Sequence, residues 1–194
     1  MLLKNSGYKT AMVGKWGLGP PNSKSIPTNM GFDYFYGYNC QRMAHNLYPP
    51  HLWENSEKDT LNNKVISPKL KLPIDSDPYD ELNYNIFNQN DYAPEIMHKK
   101  AINFLNQNKE NPFFLFYASP LPHAPLQAPK YLIDKYKKII GKEDPYIGNK
   151  GYFPTRYPRA TYAAMIEYID LQVGEIIGEL KSLDIYDNTI IIIS

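Results

Sequence analysis

The sequence predicts an α/β fold built on a mostly parallel sheet, and three observations carry that expectation. Short runs of apolar residues stand at Thr10–Val13, Phe113–Ala118 and Thr189–Ile193. Segments with apolar spacings of three and four residues lie between them, and Pro- and Asn-rich connectors separate the pieces. The chain has 194 residues, 43% of them apolar, enough for one domain with a sizeable core.

The elements follow in order. Thr10 to Val13 ends at Gly14 and reads as a buried strand that delivers Lys15 and Trp16 at its carboxyl end. Residues 55–90 are polar and carry Pro68, Pro73 and Pro78, which predicts an irregular surface insertion with room for one hairpin. Asp91 is a suitable N-cap, Pro94 fits a first turn, and Met97, Ala101, Phe104 and Leu105 recur at helical spacing, so an amphipathic helix follows. Phe113 to Ala118 lacks alternation, the pattern of a strand covered on both faces, and Pro120, Pro122 and Pro125 stop it. From Ala160 to Leu183 the residues Tyr162, Ile166, Ile169, Val173, Ile176, Leu180 and Leu183 outline a long helix with one buried stripe. Asp187-Asn188 then turns the chain into Thr189–Ile193, a second fully buried strand that would complete a right-handed parallel crossover. A run of four isoleucines belongs in mid-sheet, and barely one turn of helix precedes Thr10. The sheet is therefore expected to be incomplete at both ends, with exposed edges through which copies associate.

Composition excludes several classes. With 21 Lys+Arg against 20 Asp+Glu the formal charge is +1, which gives no electrostatic case for nucleic acid. Cys40 is the only cysteine, so neither an internal disulfide nor a Cys-based zinc site is expected. No signal-type apolar stretch follows Met1, and no run approaches the roughly 18 apolar residues of a membrane span. Lys outnumbers Arg 18 to 3 and none of the 18 Asn lies in an Asn-x-Ser/Thr acceptor, a bias that fits an AT-rich bacterial genome better than a glycosylated eukaryotic secretory protein.

Chemistry is sought at the strand ends. Gly14-Lys15-Trp16-Gly17-Leu18-Gly19 is not a phosphate loop, because Trp16 stands where the hydroxyl should be, and Lys15 alone reads equally as a solvated turn lysine. His123 sits in Pro120-Leu121-Pro122-His123-Ala124-Pro125, where prolines hold an imidazole rigidly past a strand end. It fits a proton donor to a leaving oxygen or a histidine that hydrogen-bonds a loop carbonyl. His45 and His51 carry weaker signals, His98 reads as a helix-face residue, and Cys40 as a small apolar side chain.

Four blocks now stand in order: Gly7-Tyr8-Lys9-Thr10-Ala11-Met12-Val13-Gly14-Lys15-Trp16; Gly31-Phe32-Asp33-Tyr34-Phe35-Tyr36-Gly37-Tyr38; Pro122-His123-Ala124-Pro125; and Ala160-Thr161-Tyr162-Ala163-Ala164-Met165 with Asp170, Val173 and Gly174. In sequence and spacing they resemble the type I sulfatase family, nearest to arylsulfatase A-like bacterial sulfatases. The resemblance implies an alkaline-phosphatase-like α/β/α sandwich, of which residues 1–194 would be the central part of one catalytic domain. It implies hydrolysis of aryl or carbohydrate sulfate esters by a formylglycine nucleophile beside a divalent cation, usually calcium. It also implies a sulfated small molecule or glycan as partner and a periplasmic or secreted location for the intact protein. Lys15 matches the lysine of the family's Gly-Lys-Trp-His block, which contacts the sulfate. His123 matches the Pro-His-x-Pro histidine, which holds the sulfate and helps protonate the leaving alcohol. Gly17 departs from the pattern, standing where a second histidine is usual. Gln41 and His45 are candidates for substrate contact or ordinary loop polar residues. Cys40, followed by Gln41-Arg42-Met43, does not match the Cys/Ser-x-Pro-Ser-Arg nucleophile motif, and the family's acidic metal ligands have no counterparts here. Two other readings stay in competition: a phosphodiesterase or phosphonate hydrolase of the same superfamily, and a non-catalytic truncated or sugar-binding product using the Tyr-rich loops.

Overall fold

The computed structural model describes residues 2–194. A short helical turn, α1 (Leu2–Asn5), leads into β1 (Lys9–Lys15), and β2 (Tyr34–Tyr38), β3 (His51–Glu54) and β4 (Glu57–Thr60) follow. Helix α2 (Ala93–Asn108) precedes β5 (Phe113–Ala118), and α3 (Lys130–Ile140) and α4 (Pro158–Ser182) complete the regular structure. The strands form one open sheet in the order β4-β3-β2-β1-β5. β1 pairs in parallel with both β2 and β5, whereas β3 and β4 add an antiparallel hairpin beside β2.

β1 is the strand with a parallel neighbour on each side. Its Ala11, Met12 and Val13 are fully buried. One face of the sheet, with Val13, Tyr36, Leu115 and Tyr117, packs against Ala93, Met97 and Ala101 of α2. The other carries Met12 and Phe35 and is partly covered by residues 16–33, where Trp16 meets Phe32 edge-on and Phe32 stacks on Phe114. Gly14 and Gly37 are register partners with φ of +122° and +148°. A Cβ on Gly14 would run into the Ala118 carbonyl oxygen, and one on Gly37 into that of Gly14. Glycine at both positions therefore lets three strands approach closely just before Lys15. Helix α4 lies along α3 and touches α2, forming a second helical layer.

Five expectations are corrected. Asp91 does not cap α2, whose N-cap is Tyr92; its carboxylate accepts the Asn62 N–H at 2.6 Å and ties the insertion to the helix start. β5 is covered on one face only: Phe114 and Phe116 are exposed, because residues 16–33 reach no further than the Phe114 ring. The buried side of α4 is formed by Ala160, Thr161, Ala164, Met165, Gln172 and Leu180; of the expected stripe Leu180 is buried and Ile169 half-buried, whereas Tyr162 and Ile166 are exposed. Small alanines let α4 approach α3 closely, and that contact chose the face over the larger side chains. His98 is buried on the inner side of α2, its Nε2 2.8 Å from Glu175 of α4. Thr189–Ile193 forms no strand: the sheet ends at β5, and Ile190, Ile192 and Ile193 are exposed. A β-branched run becomes a strand only when a neighbouring backbone meets its own N–H and C=O groups, and none does here among the described residues. The parallel crossovers that do form end at β2 and β5.

Candidate functional site

Because β1, β2 and β5 run in parallel, their carboxyl ends share one edge of the sheet, where open α/β sheets hold ligands. Lys15 closes β1, half-buried, opposite Tyr38 in register. Trp16 and Gly17 then cross to β2 by donating to the carbonyls of Tyr38 and Asn39 at 2.9 and 3.2 Å. Past β2 a 3-10 turn, Gln41–His45, places Gln41 at one end and His45 at the other. Gln41 lies over Gly17, whose missing Cβ would stand 3.6 Å from the Gln41 Cβ and 3.8 Å from its Oε1. Gly17 has φ of +76°, so its backbone favours glycine, and the room beside it belongs to Gln41.

His123 follows β5 by five residues in an exposed loop and stacks parallel on His45, with ring centroids 5.6 Å apart and planes 2° from parallel. Its Nδ1 lies 2.6 Å from the Ala124 carbonyl oxygen. An oxygen of that kind only accepts, so Nδ1 carries the proton and Nε2 is left free. The loop-carbonyl reading is met by Nδ1, and Nε2 has no partner among the described residues. Burial holds the His45 imidazole below its ordinary value, and the positive charges of His123, Lys15 and Arg42 push it further down. The three side chains that push it down by their charge are all cations, a setting that suits an anion.

Three loops are locked together beneath this edge. Gln127, 2% exposed, accepts the Leu47 N–H at 2.8 Å through Oε1 and donates to the Phe87 carbonyl through Nε2. Its own carbonyl accepts the Tyr92 hydroxyl at 2.9 Å, and the Leu126 carbonyl accepts the Thr155 hydroxyl at 3.0 Å. The third loop brings in Tyr152, whose ring lies 5.2 Å from His45 and 5.7 Å from His123, nearly perpendicular to both. Sequence reasoning missed Tyr152, Arg42 and Gln127. Gly148 and Gly151 just ahead of the aromatic pair Tyr152-Phe153 were the one available signal for the first.

Other candidates lie apart. His51 sits in β3 against Trp53, and His98 is enclosed between α2 and α4. Cys40 is half-buried, a free thiol just before the 3-10 turn. A cavity lined by Tyr84, Phe87, Lys137 and Arg156 includes neither Lys15 nor His123 and lies apart from the edge site. Among the described residues no helix is long and apolar enough to cross a membrane.

The family model described as Sulfatase matches residues 1–194. The chain belongs to the sulfatase family. Similar curated sulfatases include arylsulfatase J of Mus musculus, 29% identical over 99% of this chain and 27% of its own length. The N-acetylgalactosamine-6-sulfatase of Homo sapiens is 27% identical over 98% of the chain and 30% of its own length. An uncharacterized sulfatase of Schizosaccharomyces pombe, PB10D8.02c, is 28% identical over 98% of the chain and 39% of its own. The chain thus spans between about a quarter and two fifths of these sulfatases. The solved structure of Ps i-CgsB in complex with k-i-k-neocarrahexaose shares the fold, with a TM-score of 0.67 at 24% identity, covering 97% of this chain and 37% of that one. PsFucS1 sulfatase from Pseudoalteromonas sp. does so with a TM-score of 0.55 at 19% identity, over 94% and 34%.

Sulfatases in general depend on formylglycine and a metal. Among the described residues no three His, Cys, Asp or Glu side chains converge, and the charges gathered at the Lys15–His123 edge are cationic. Calcium requires a cage of six to eight oxygen ligands, so this donor set does not fit it.

Proposed function

We propose that this chain carries the sulfate-holding and proton-donating part of a sulfuric ester hydrolase acting on aryl or carbohydrate sulfates. The observation that carries the reading is the parallel His45–His123 stack, with Lys15 and Arg42 close enough for their charges to bear on His45. Lys15, fixed at a strand end, offsets charge on the sulfuryl oxygens more strongly than a mobile lysine in water, because no reorganisation is needed when that charge grows. His123 keeps Nδ1–H on the Ala124 carbonyl in both protonation states. Protonated, it offers Nε2–H to the bridging oxygen as the alcohol leaves. Gln41 and His45 supply further contacts to the sulfate or its ester oxygen. A glycan substrate is supported by the names of similar proteins, an N-acetylgalactosamine-6-sulfatase among them.

The same residues do not replace a nucleophile, and Cys40 lacks the flanking Pro-Ser-Arg motif. The 194-residue chain is therefore expected to bind a sulfate ester without hydrolysing it. Calorimetric titration with N-acetylgalactosamine 6-sulfate tests this: Lys15→Ala and His123→Ala should each weaken binding about tenfold or more, the scale of a lost charge-assisted hydrogen bond. No release of 4-nitrophenol from its sulfate ester is expected, even with calcium and formylglycine-generating enzyme present. Turnover abolished by His123→Ala, or binding untouched by either substitution, would overturn the reading.

A further inference from the structure

Tyr152 is a bulky aromatic residue in the left-handed region, with φ of +60°, a conformation that side-chain-bearing residues rarely keep unless their surroundings hold them there. Here they do. The backbones of Tyr146 and Thr155 exchange hydrogen bonds of 2.9 and 2.8 Å across the loop's base. The Tyr146 hydroxyl donates to the Gly151 carbonyl and accepts the Lys150 N–H at 3.1 Å. On the other side Phe153 is buried, its ring tilted against that of Phe87 with centroids 5.2 Å apart. The loop thus pins both neighbours of Tyr152 and leaves its ring 38% exposed, upright beside the two stacked imidazoles. Among the described residues its hydroxyl makes no hydrogen bond. An apolar wall with one free polar tip therefore stands next to a cluster of positive charge.

We propose that Tyr152 is a specificity-determining residue, the wall on which the pyranose ring of a sulfated sugar packs while its sulfate lies against Lys15 and the histidine pair. The inference rests on the anion-binding reading above and adds to it the residue that would hold the sugar ring. A pyranose presents an apolar C–H face that suits an aromatic surface, and its hydroxyls suit a free phenol. A bare sulfate ion needs neither. The arrangement matches a ligand anionic at one end and ring-shaped at the other.

Two probes, N-acetylgalactosamine 6-sulfate and inorganic sulfate, are titrated into the chain and into its Tyr152→Gly and Tyr152→Phe variants. Glycine suits φ of +60°, so the loop keeps its course when the ring is removed. The parent chain should bind the sulfated sugar more tightly than sulfate. Tyr152→Gly should lose about tenfold in affinity for the sulfated sugar while its affinity for sulfate stays within about twofold. Tyr152→Phe, which keeps the wall, should stay within about threefold of the parent for both. Equal weakening of both probes would mean that Tyr152 acts through the imidazoles, and an unchanged affinity for the sulfated sugar would mean that nothing packs on it; either overturns the proposal alone. A parent chain that binds neither probe overturns the anion-site reading and this proposal together.

Discussion

Two stretches of similar apolar character have opposite surroundings in this molecule. Ala11, Met12 and Val13 of β1 are wholly buried, whereas Ile190, Ile192 and Ile193 are 89%, 85% and 74% exposed. β1 is hydrogen-bonded along both edges, by β2 and by β5, and covered by α2 on one face and residues 16–33 on the other. The isoleucine run is anchored only at its start, where Thr189 donates to the carbonyls of Tyr186 and Ile185. Burial of a large aliphatic side chain is worth about 1.5–3 kcal/mol only when other atoms take the place of water. The difference teaches that neighbours, not composition, make the central strand, and the same strand then has the rigidity to present Lys15.

The largest expected effect comes from the contact that binds β1 to its neighbours. Gly14→Ala forces a Cβ against the Ala118 carbonyl at a φ that disfavours it, and should destabilise by about 4 kcal/mol or more, read from urea unfolding. A loss below about 1 kcal/mol would mean that the three strands are less closely set than described. Met12→Ala, removing a fully buried side chain, should cost about 2–5 kcal/mol. Ile192→Ser in the exposed run should change stability by no more than about 0.5 kcal/mol. Equal effects of these two substitutions would erase the comparison.

Titration gives a smaller effect. Burial holds the His98 imidazole below its ordinary value, against the opposing pull of Glu175. A second proton would fall on Nδ1, which is buried and has no partner among the described residues. The unfolded chain therefore takes up this proton first, near pH 6.5. Stability should be complete above that pH and decline as pH falls from there toward the depressed folded value. His98→Gln should flatten part of the slope in urea midpoints between pH 7.5 and 5, His45 and His51 adding their own share in the same direction. An identical slope in the variant would remove His98 from this account. The smallest effect concerns association. Exposed Phe114, Phe116 and isoleucines should drive concentration-dependent self-association, and serine at Ile190 to Ile193 should reduce it in sedimentation velocity without altering stability. A monomer unaffected by concentration would contradict this.

How much was legible follows the same division. The Thr10–Val13 run and the proline-framed His123 are local signals that placed Lys15 and His123 at strand ends on one edge, although β1 does not stop at Gly14 but runs on to Lys15. Gln127 was not legible, because its partner Leu47 lies 80 residues away and nothing in Leu126-Gln127-Ala128 marks a buried amide. Tyr152 gains its place from a loop that meets His45 and His123 only in space. Asp91 had the composition of a cap but found Asn62 instead. Tyr162 and Ile166 of the α4 stripe and the isoleucine run are exposed for one reason: apolar pattern says which residues could be buried, and only packing partners decide which are.

The central claim, that Lys15, His45 and His123 form one anion site, is tested most directly by following the four histidine ring resonances during titration with inorganic sulfate across pH. The account predicts that His45 and His123 shift together while His51 and His98 stay in place. Bound sulfate offsets the positive charges that depress His45, so its protonation midpoint should rise on saturation and sulfate affinity should increase as pH falls from 7.5 to 5.5. Shifts confined to His51 or His98, or a His45 midpoint indifferent to sulfate, would contradict it.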